Sequence, residues 1–268
     1  NSVPYGVWAS SGWVAISSVN VSTSGSFGIY TAGIRISSWT TLNYSSVSVV
    51  NAHGLWLDST AQKDEVSDST FTAESASFYA LYVNGASSNT FTAVVASNTA
   101  GTGAYLSANA GYNEISRSPM TSGGVGSYAL FLSGASSNTI TQSYITSPNG
   151  YGAGLASNSN CNKISQSTIT SNASYFTLYV ISGSSNTLTE NYIANPLGYG
   201  MFLTGSAHYN TISQSTMIVG GGGLWALNIS GSSNTVTQSY MLSSAGSGVV
   251  VGNSAGGNTI SRSTMTGG

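Results

Sequence analysis

The chain is 268 residues long and only 4% of it is charged, five Lys or Arg against seven Asp or Glu, where about 25% is ordinary. A net charge of −2 excludes the basic stripe of a nucleic-acid binder, and no apolar run is long enough to cross a membrane as a helix. Disorder is excluded too, because 40% of the residues are hydrophobic and sixteen are tyrosine, apolar material enough for a long, thin core.

Residues 1–16, with Pro4, Trp8 and Trp13, fit no repeat and are expected to form an N-terminal cap or an exchange segment. The chain opens at Asn1 without a basic-then-apolar leader, so any signal peptide is expected to have been removed. Residues 17–268 are expected to form one repetitive domain. A degenerate copy starts near Ser17 (SSVNVST), and Thr40 (TTLNYSSV) and Asp64 (DEVSDSTF) keep the beat. From Asn89 (NTFTAV) the copies begin at Asn113, Asn138, Asn162, Asn186, Asn210, Asn234 and Asn258, in steps of 24, 25, 24, 24, 24, 24 and 24. That makes about eleven copies.

Apolar positions are fixed within each copy. Two residues after the Asn stand Phe91, Ile115, Ile140, Ile164, Leu188, Ile212, Val236 and Ile260. Seven after it stand Met120, Ile145, Ile169, Ile193, Met217, Met241 and Met265. A third apolar pair, as in Leu81/Val83 and Leu130/Leu132, precedes the next Asn. These are short alternating strands with no helical period. Three such strands cannot close a core alone, but coils stacked at about 4.8 Å can, giving a rod of roughly 50 Å.

The spacing Asn-x-Ile-x-x-[Asn/Ser]-x-Ile resembles the parallel β-helix repeat of the pectate-lyase-like superfamily. The resemblance implies an all-β, single-domain right-handed parallel β-helix, a three-sheet solenoid of about eleven coils of 24 residues. It also implies a structural turn ladder in which Asn89, Asn113, Asn138, Asn162, Asn186, Asn210, Asn234 and Asn258 hydrogen-bond to the coils above and below. At the family's second Asn position this chain has Ser118, Ser143, Ser167, Ser215, Ser239 and Ser263, with Asn191 keeping the amide. Odd and even coils differ, which reads as duplication of a two-coil module or as a surface ladder spaced at about 10 Å. Because this fold hosts many activities, it says little about function.

Five of the seven acidic residues, Asp58, Asp64, Glu65, Asp68 and Glu74, lie close together with Lys63 and His53. Clustered carboxylates could bind Ca²⁺ or form an acid/base pair for glycoside cleavage. Asp58, Asp64, Glu65 and Asp68 are the candidate metal ligands, but Glu65 and Asp68 flank the inward apolar position, so a solvated, lightly charged edge is the expected reading. Lyases of the family use acidic Ca²⁺ ligands with a basic residue, and neither arrangement can be carried onto this chain. His53 and His208 lie more than six coils apart, and no Gly-x-Ser-x-Gly elbow occurs. No catalytic residue, metal or cofactor is expected.

The Thr pairs Thr90/Thr92, Thr139/Thr141, Thr187/Thr189 and Thr235/Thr237 resemble ice-binding ranks, but Glu114 and Lys163 interrupt them. Recurrent aromatics, among them Tyr79, Tyr82, Tyr105, Tyr128, Phe131, Tyr179, Phe202 and Trp225, are divided between core packing and an outward stripe able to stack on sugars. Cys161 is expected to be a buried structural thiol. Asn20, Asn43, Asn172 and Asn228 sit in possible glycosylation sequons. The C-terminus stops inside an ordinary copy, which reads either as a fragment of a longer solenoid or as an open end suited to stacking. The expected function is a non-enzymatic, extracellular or cell-surface structural protein that self-associates into a filament or layer. The alternative is a polysaccharide-binding or polysaccharide-cleaving β-helix with carbohydrate as partner.

Overall fold

A computed structural model describes residues 5–10, 12–26, 31–253 and 255–268. The chain winds as a right-handed parallel β-helix with three eleven-stranded sheets, each receiving one strand per coil. Sheet I runs from Tyr5–Ala9 to Ser247–Val251, sheet II from Val14–Ser17 to Thr259–Ser261, and sheet III from Asn20–Ser26 to Thr264–Thr266. No helix among the described residues is long and apolar enough to cross a membrane. Residues 5–9 and 14–16 of the expected cap or exchange segment run as strands of the first coil, while residues 1–4 and 11 lie outside the described ones.

Register alone builds the core. The position two after each Asn forms a column in sheet II, Ile115–Ile140–Ile164–Leu188–Ile212–Val236. The position seven after it forms another in sheet III, Met120–Ile145–Ile169–Ile193–Met217–Met241. Leu106, Leu132, Leu155, Val180, Leu203 and Ile229 close the third side, and all of these side chains are buried. Like sits on like because a 24-residue step returns every residue to the same angular position one strand spacing further on.

Two left-handed corners per coil keep the sheet II strands short. Ser137 (φ 60°) and Gln142 (φ 50°) bracket Thr139–Thr141, and Ser185 (φ 57°) and Glu190 (φ 57°) bracket Thr187–Thr189. A non-glycine residue there costs on the order of 1 kcal/mol. The ladder beside the first corner offsets that cost. Asn138 Oδ1 accepts from Asn113 N–H and Nδ2 at 3.0 Å each, while Asn138 Nδ2 donates to Ala110 O at 3.0 Å and Asn162 Oδ1 at 3.1 Å. Ser supports the second corner in the same manner: Ser143 Oγ accepts from Ser118 N–H at 3.2 Å and donates to Thr141 O at 2.9 Å.

Cys161 corrects its expected reading. It is exposed, at a left-handed corner with φ 57°, because the residue before the ladder Asn points out of the coil.

Coils approach so closely that some positions admit no side chain. A Cβ on Gly200 would lie 2.1 Å from the carbonyl oxygen of Ala226 in the next coil, and backbone cannot move aside there. Gly200→Ala is therefore expected to cost about 1–3 kcal/mol, read as a lowered urea midpoint. An unchanged midpoint would mean that the coil spacing is not fixed at this point.

Candidate functional site

The outer face of sheet I is where the chain departs most from its Ser/Thr surface. Each long strand turns two positions outward around an inward pair, as Tyr128 and Phe131 do around buried Ala129 and Leu130. One outward column carries Trp56, Tyr82, Tyr105 and Phe131 in register. The other pairs Tyr128 with Tyr151 and Phe176 with Tyr199. The rings stack on one another: Tyr82–Tyr105 at 5.7 Å and 7°, Tyr105–Phe131 at 5.4 Å and 10°, Tyr128–Tyr151 at 4.5 Å and 14°. Parallel offset stacking is what one strand spacing per ring imposes. Gly154 interrupts the first column and Tyr128 fills the space, since a Cβ there would lie 2.5 Å from its Cε1. These aromatics form an outer stack, Trp56 buried and the others half-buried, and none joins the central core, which corrects the expectation that part of them fills it.

Stacking also fixes the hydroxyls. Burial, reinforced by the neighbouring tyrosines, pushes the Tyr79 phenol up to about 12 and Tyr128 higher still. Both remain neutral hydroxyls, able to donate and accept.

Toward the N-terminal coils the stack opens into a cavity of about 210 Å³ lined by His53, Trp56, Ser77, Phe78, Tyr79, Tyr82 and Asn84. The His53 ring lies 4.6 Å from Tyr82 and 5.2 Å from Tyr79. His53 Nδ1 accepts the Tyr79 N–H at 3.0 Å, which places the ring proton on Nε2. Burial lowers its pKa to about 4, so the imidazole is neutral across the physiological range. The strand neighbour Arg35 lies over Trp56 at 4.6 Å and over Tyr5 at 5.2 Å, and donates to Asp58 Oδ2 at 2.6 and 2.9 Å. Burial pushes the Asp58 carboxyl up, but hydrogen bonds from Thr60 and Arg35 outweigh it and hold the group ionised. The cavity thus offers aromatic edges, a neutral imidazole, phenols, a hydroxyl and an amide.

The acidic residues that are close in sequence are not brought together. Asp58 is paired with Arg35 on sheet I, Asp64 occupies the ladder position, Glu65 faces outward on sheet II, and Asp68 sits exposed at the second corner. Among the described residues no three His, Cys, Asp or Glu side chains group as metal ligands. The strand alternation that turns Glu65 outward faces Asp64 inward, so sequence proximity misled here. Arg35 and the aromatic surroundings of His53 were not legible in the sequence, because the partners lie one coil away. The Thr pairs line the outer face of sheet II with Glu65, Glu114 and Lys163 between them. Of the sequon residues, Asn20 and Asn172 are exposed, Asn228 is half-buried and accepts from Ser230 Oγ, and Asn43 has a buried Oδ1.

A family model described as "Right handed beta helix region" matches residues 27–175 and 128–268. No curated protein sequence matches the chain. Among solved structures, the Dettilon tailspike protein is similar with TM-score 0.63 and 11% identity over 92% of this chain, which spans 60% of the tailspike's length. The A-modules of the mannuronan C-5 epimerases AlgE6 and AlgE4 of Azotobacter vinelandii are similar at TM-scores 0.59 and 0.52, with 11% and 12% identity. They are covered over 90% of their length by 94% and 92% of this chain. At these identities the likeness is one of fold, and that fold is shared by enzymes and a tailspike. The expected self-assembling filament or layer subunit is corrected by these findings. The β-helices that this chain is similar to include a tailspike and mannuronan C-5 epimerase modules, and its own least ordinary surface is an aromatic face with a polar-lined cavity.

Proposed function

The chain belongs to the right-handed β-helix family, and on that premise we propose that it is a polysaccharide-binding β-helix, secreted or displayed at a cell or particle surface. Its glycan lies along the outer face of sheet I and is gripped at the His53–Tyr82 cavity. The observation that carries this reading is that cavity: an opening of about 210 Å³ in a continuous aromatic face, whose polar side chains are all neutral. Neutral donors and acceptors suit hydroxyl groups, and aromatic edges suit the C–H-rich faces of pyranose rings. A chain lying along the axis meets an equivalent position at every coil, about 4.8 Å apart, on the scale of one sugar residue. The mannuronan C-5 epimerase modules show that this architecture occurs in proteins named for a polysaccharide substrate. Binding is favoured over cleavage because Asp58 is committed to Arg35 and Asp64 to the ladder, which leaves neither free to serve in an acid/base pair.

The test is gel retardation by a panel of neutral and acidic polysaccharides. Wild-type chain is expected to be retarded by at least one of them. Tyr82→Ala, which opens the stack beside the cavity, is expected to weaken that binding by about tenfold, the equivalent of 1.4 kcal/mol. No retardation by any polysaccharide, or full binding by Tyr82→Ala, would overturn the proposal.

A further inference from the structure

The corner that opens sheet II carries a second cluster outside the sheet I face. Trp13, Trp39 and Lys63 precede Val14, Thr40 and Asp64, so they occupy one corner in three successive coils. In later coils this corner holds Ser88, Ser137, Ser185, Ser233 and Gly257 in some coils and Tyr112, Cys161 and Tyr209 in the others, all with positive φ, but none of the later aromatics has a second ring stacked on it from the neighbouring corner. A bulky residue is a costly choice for the left-handed region, yet Trp39 stands there with φ 64°. Trp13 stacks on it at 4.9 Å and 36° while remaining 85% exposed. Lys63 Nζ lies 4.5 Å from the Trp39 ring centroid. The adjacent outward column of sheet II adds Thr41 and its register partner Glu65. These five residues line a cavity of about 370 Å³.

We propose that this cavity is a binding site for a neutral hexopyranose, free or at the end of a glycan. The indole of Trp13 offers an accessible apolar surface for the C–H face of the ring. Glu65 accepts from ring hydroxyls, Lys63 donates to a hydroxyl oxygen, and Thr41 does either. One ammonium beside one carboxylate sets the charge preference. A uronate gains from Lys63 what it loses to Glu65, and an amino sugar the reverse, so neither charge is favoured, whereas a neutral sugar uses both groups without opposition. The site lies on another sheet from the His53 cavity and does not rest on what that cavity binds.

Titration of the whole chain with methyl glucoside, methyl galactoside, methyl mannoside and their neutral oligosaccharides, followed by tryptophan fluorescence and saturation-transfer NMR, tests the proposal. At least one neutral sugar is expected to give a saturable response. Trp13→Ala, at an exposed position where folding is little affected, is expected to weaken it about tenfold. Glu65→Gln and Lys63→Met are expected to weaken it several-fold each, with Tyr240→Ala on sheet III as the unaffected control. Response only to glucuronic acid or glucosamine, no saturable response to any neutral sugar, or undiminished binding by a correctly folded Trp13→Ala would overturn it.

Discussion

Asp64→Asn is expected to raise the melting temperature at pH 8 by several degrees and to turn a shallow dependence of stability on pH into one that rises between about pH 4 and 6.5. Asp64 occupies the position that Asn holds in the later coils of the ladder. Its Oδ1 accepts the Thr40 N–H at 2.6 Å, but its Oδ2 is buried with no hydrogen-bond partner. One coil on, the corresponding atom is Asn89 Nδ2, which donates to Ala61 O at 3.2 Å and to Asn113 Oδ1 at 3.0 Å. A carboxylate oxygen therefore stands where the ladder supplies a donor. Only the protonated acid can imitate the amide. Burial, opposed by the Thr40 hydrogen bond and reinforced by Asp58, raises the Asp64 pKa from 3.8 to about 7.

The folded chain thus keeps a proton on Asp64 that the unfolded chain has released. The stability this represents is complete below about pH 4 and is lost as pH rises toward 7. It amounts to on the order of 1.4 kcal/mol for each tenfold gain in proton affinity, about 4 kcal/mol at most. His53 acts in the opposite sense. Its pKa is lowered from 6.5 to about 4, so its contribution is present above 6.5 and lost as pH falls toward 4. The two offset each other between about pH 4 and 6.5, and the wild-type profile is expected to be shallow there. Asp64→Asn removes one arm, leaving stability that rises from about pH 4 to 6.5 and exceeds wild type by about 2–4 kcal/mol at pH 8. Thermal melts of both chains from pH 4 to 8 decide it. Equal melting temperatures at pH 8 would show that the ionised carboxylate is accommodated without cost.

Asn138→Ala is expected to lower stability by about 3–5 kcal/mol and to loosen the helix locally. Asn138 is fully buried and joins the Asn113, Asn138 and Asn162 coils through four hydrogen bonds. Alanine leaves the buried Asn113 N–H without a partner, at about 1–3 kcal/mol, and removes three further hydrogen bonds at about 0.5–1.5 kcal/mol each, the Ala110 carbonyl keeping the Ser136 N–H at 3.1 Å. In a solenoid the damage stays with the nearest neighbours. Hydrogen exchange is therefore expected to accelerate at the amides of Asn113 and Thr139 and to stay slow in the coils around Asn234. The outward Thr139→Ala is the control, within about 0.5 kcal/mol of wild type. Uniform acceleration along the chain, or none, would refute a locally acting ladder.

The candidate site shows how unevenly the sequence discloses function. The recurrent aromatics before each Asn were visible, and so was their possible outward direction in strands that alternate with Leu or Val. Their mutual stacking was not, because Tyr82 and Tyr105 meet only through a coil step and Gly154 is filled only by a ring from the preceding coil. The acidic cluster at 58–74 drew attention by sequence proximity, yet Asp58 answers to Arg35, twenty-three residues earlier, and Asp64 to Thr40 and Asn89. The exposed corner position of Cys161 was hidden for a related reason, since a residue before the ladder Asn takes a left-handed φ that its own side chain does not announce.

By itself the sequence determined the architecture. A 24-residue period with invariant apolar offsets has one economical solution, a stack of coils in which every column buries against its own repetition. Which side chains share a surface was decided by the tertiary structure alone. Neighbours in a parallel β-helix are one full coil apart in sequence, so the chemistry of a face is set by register across coils and is invisible to any local reading.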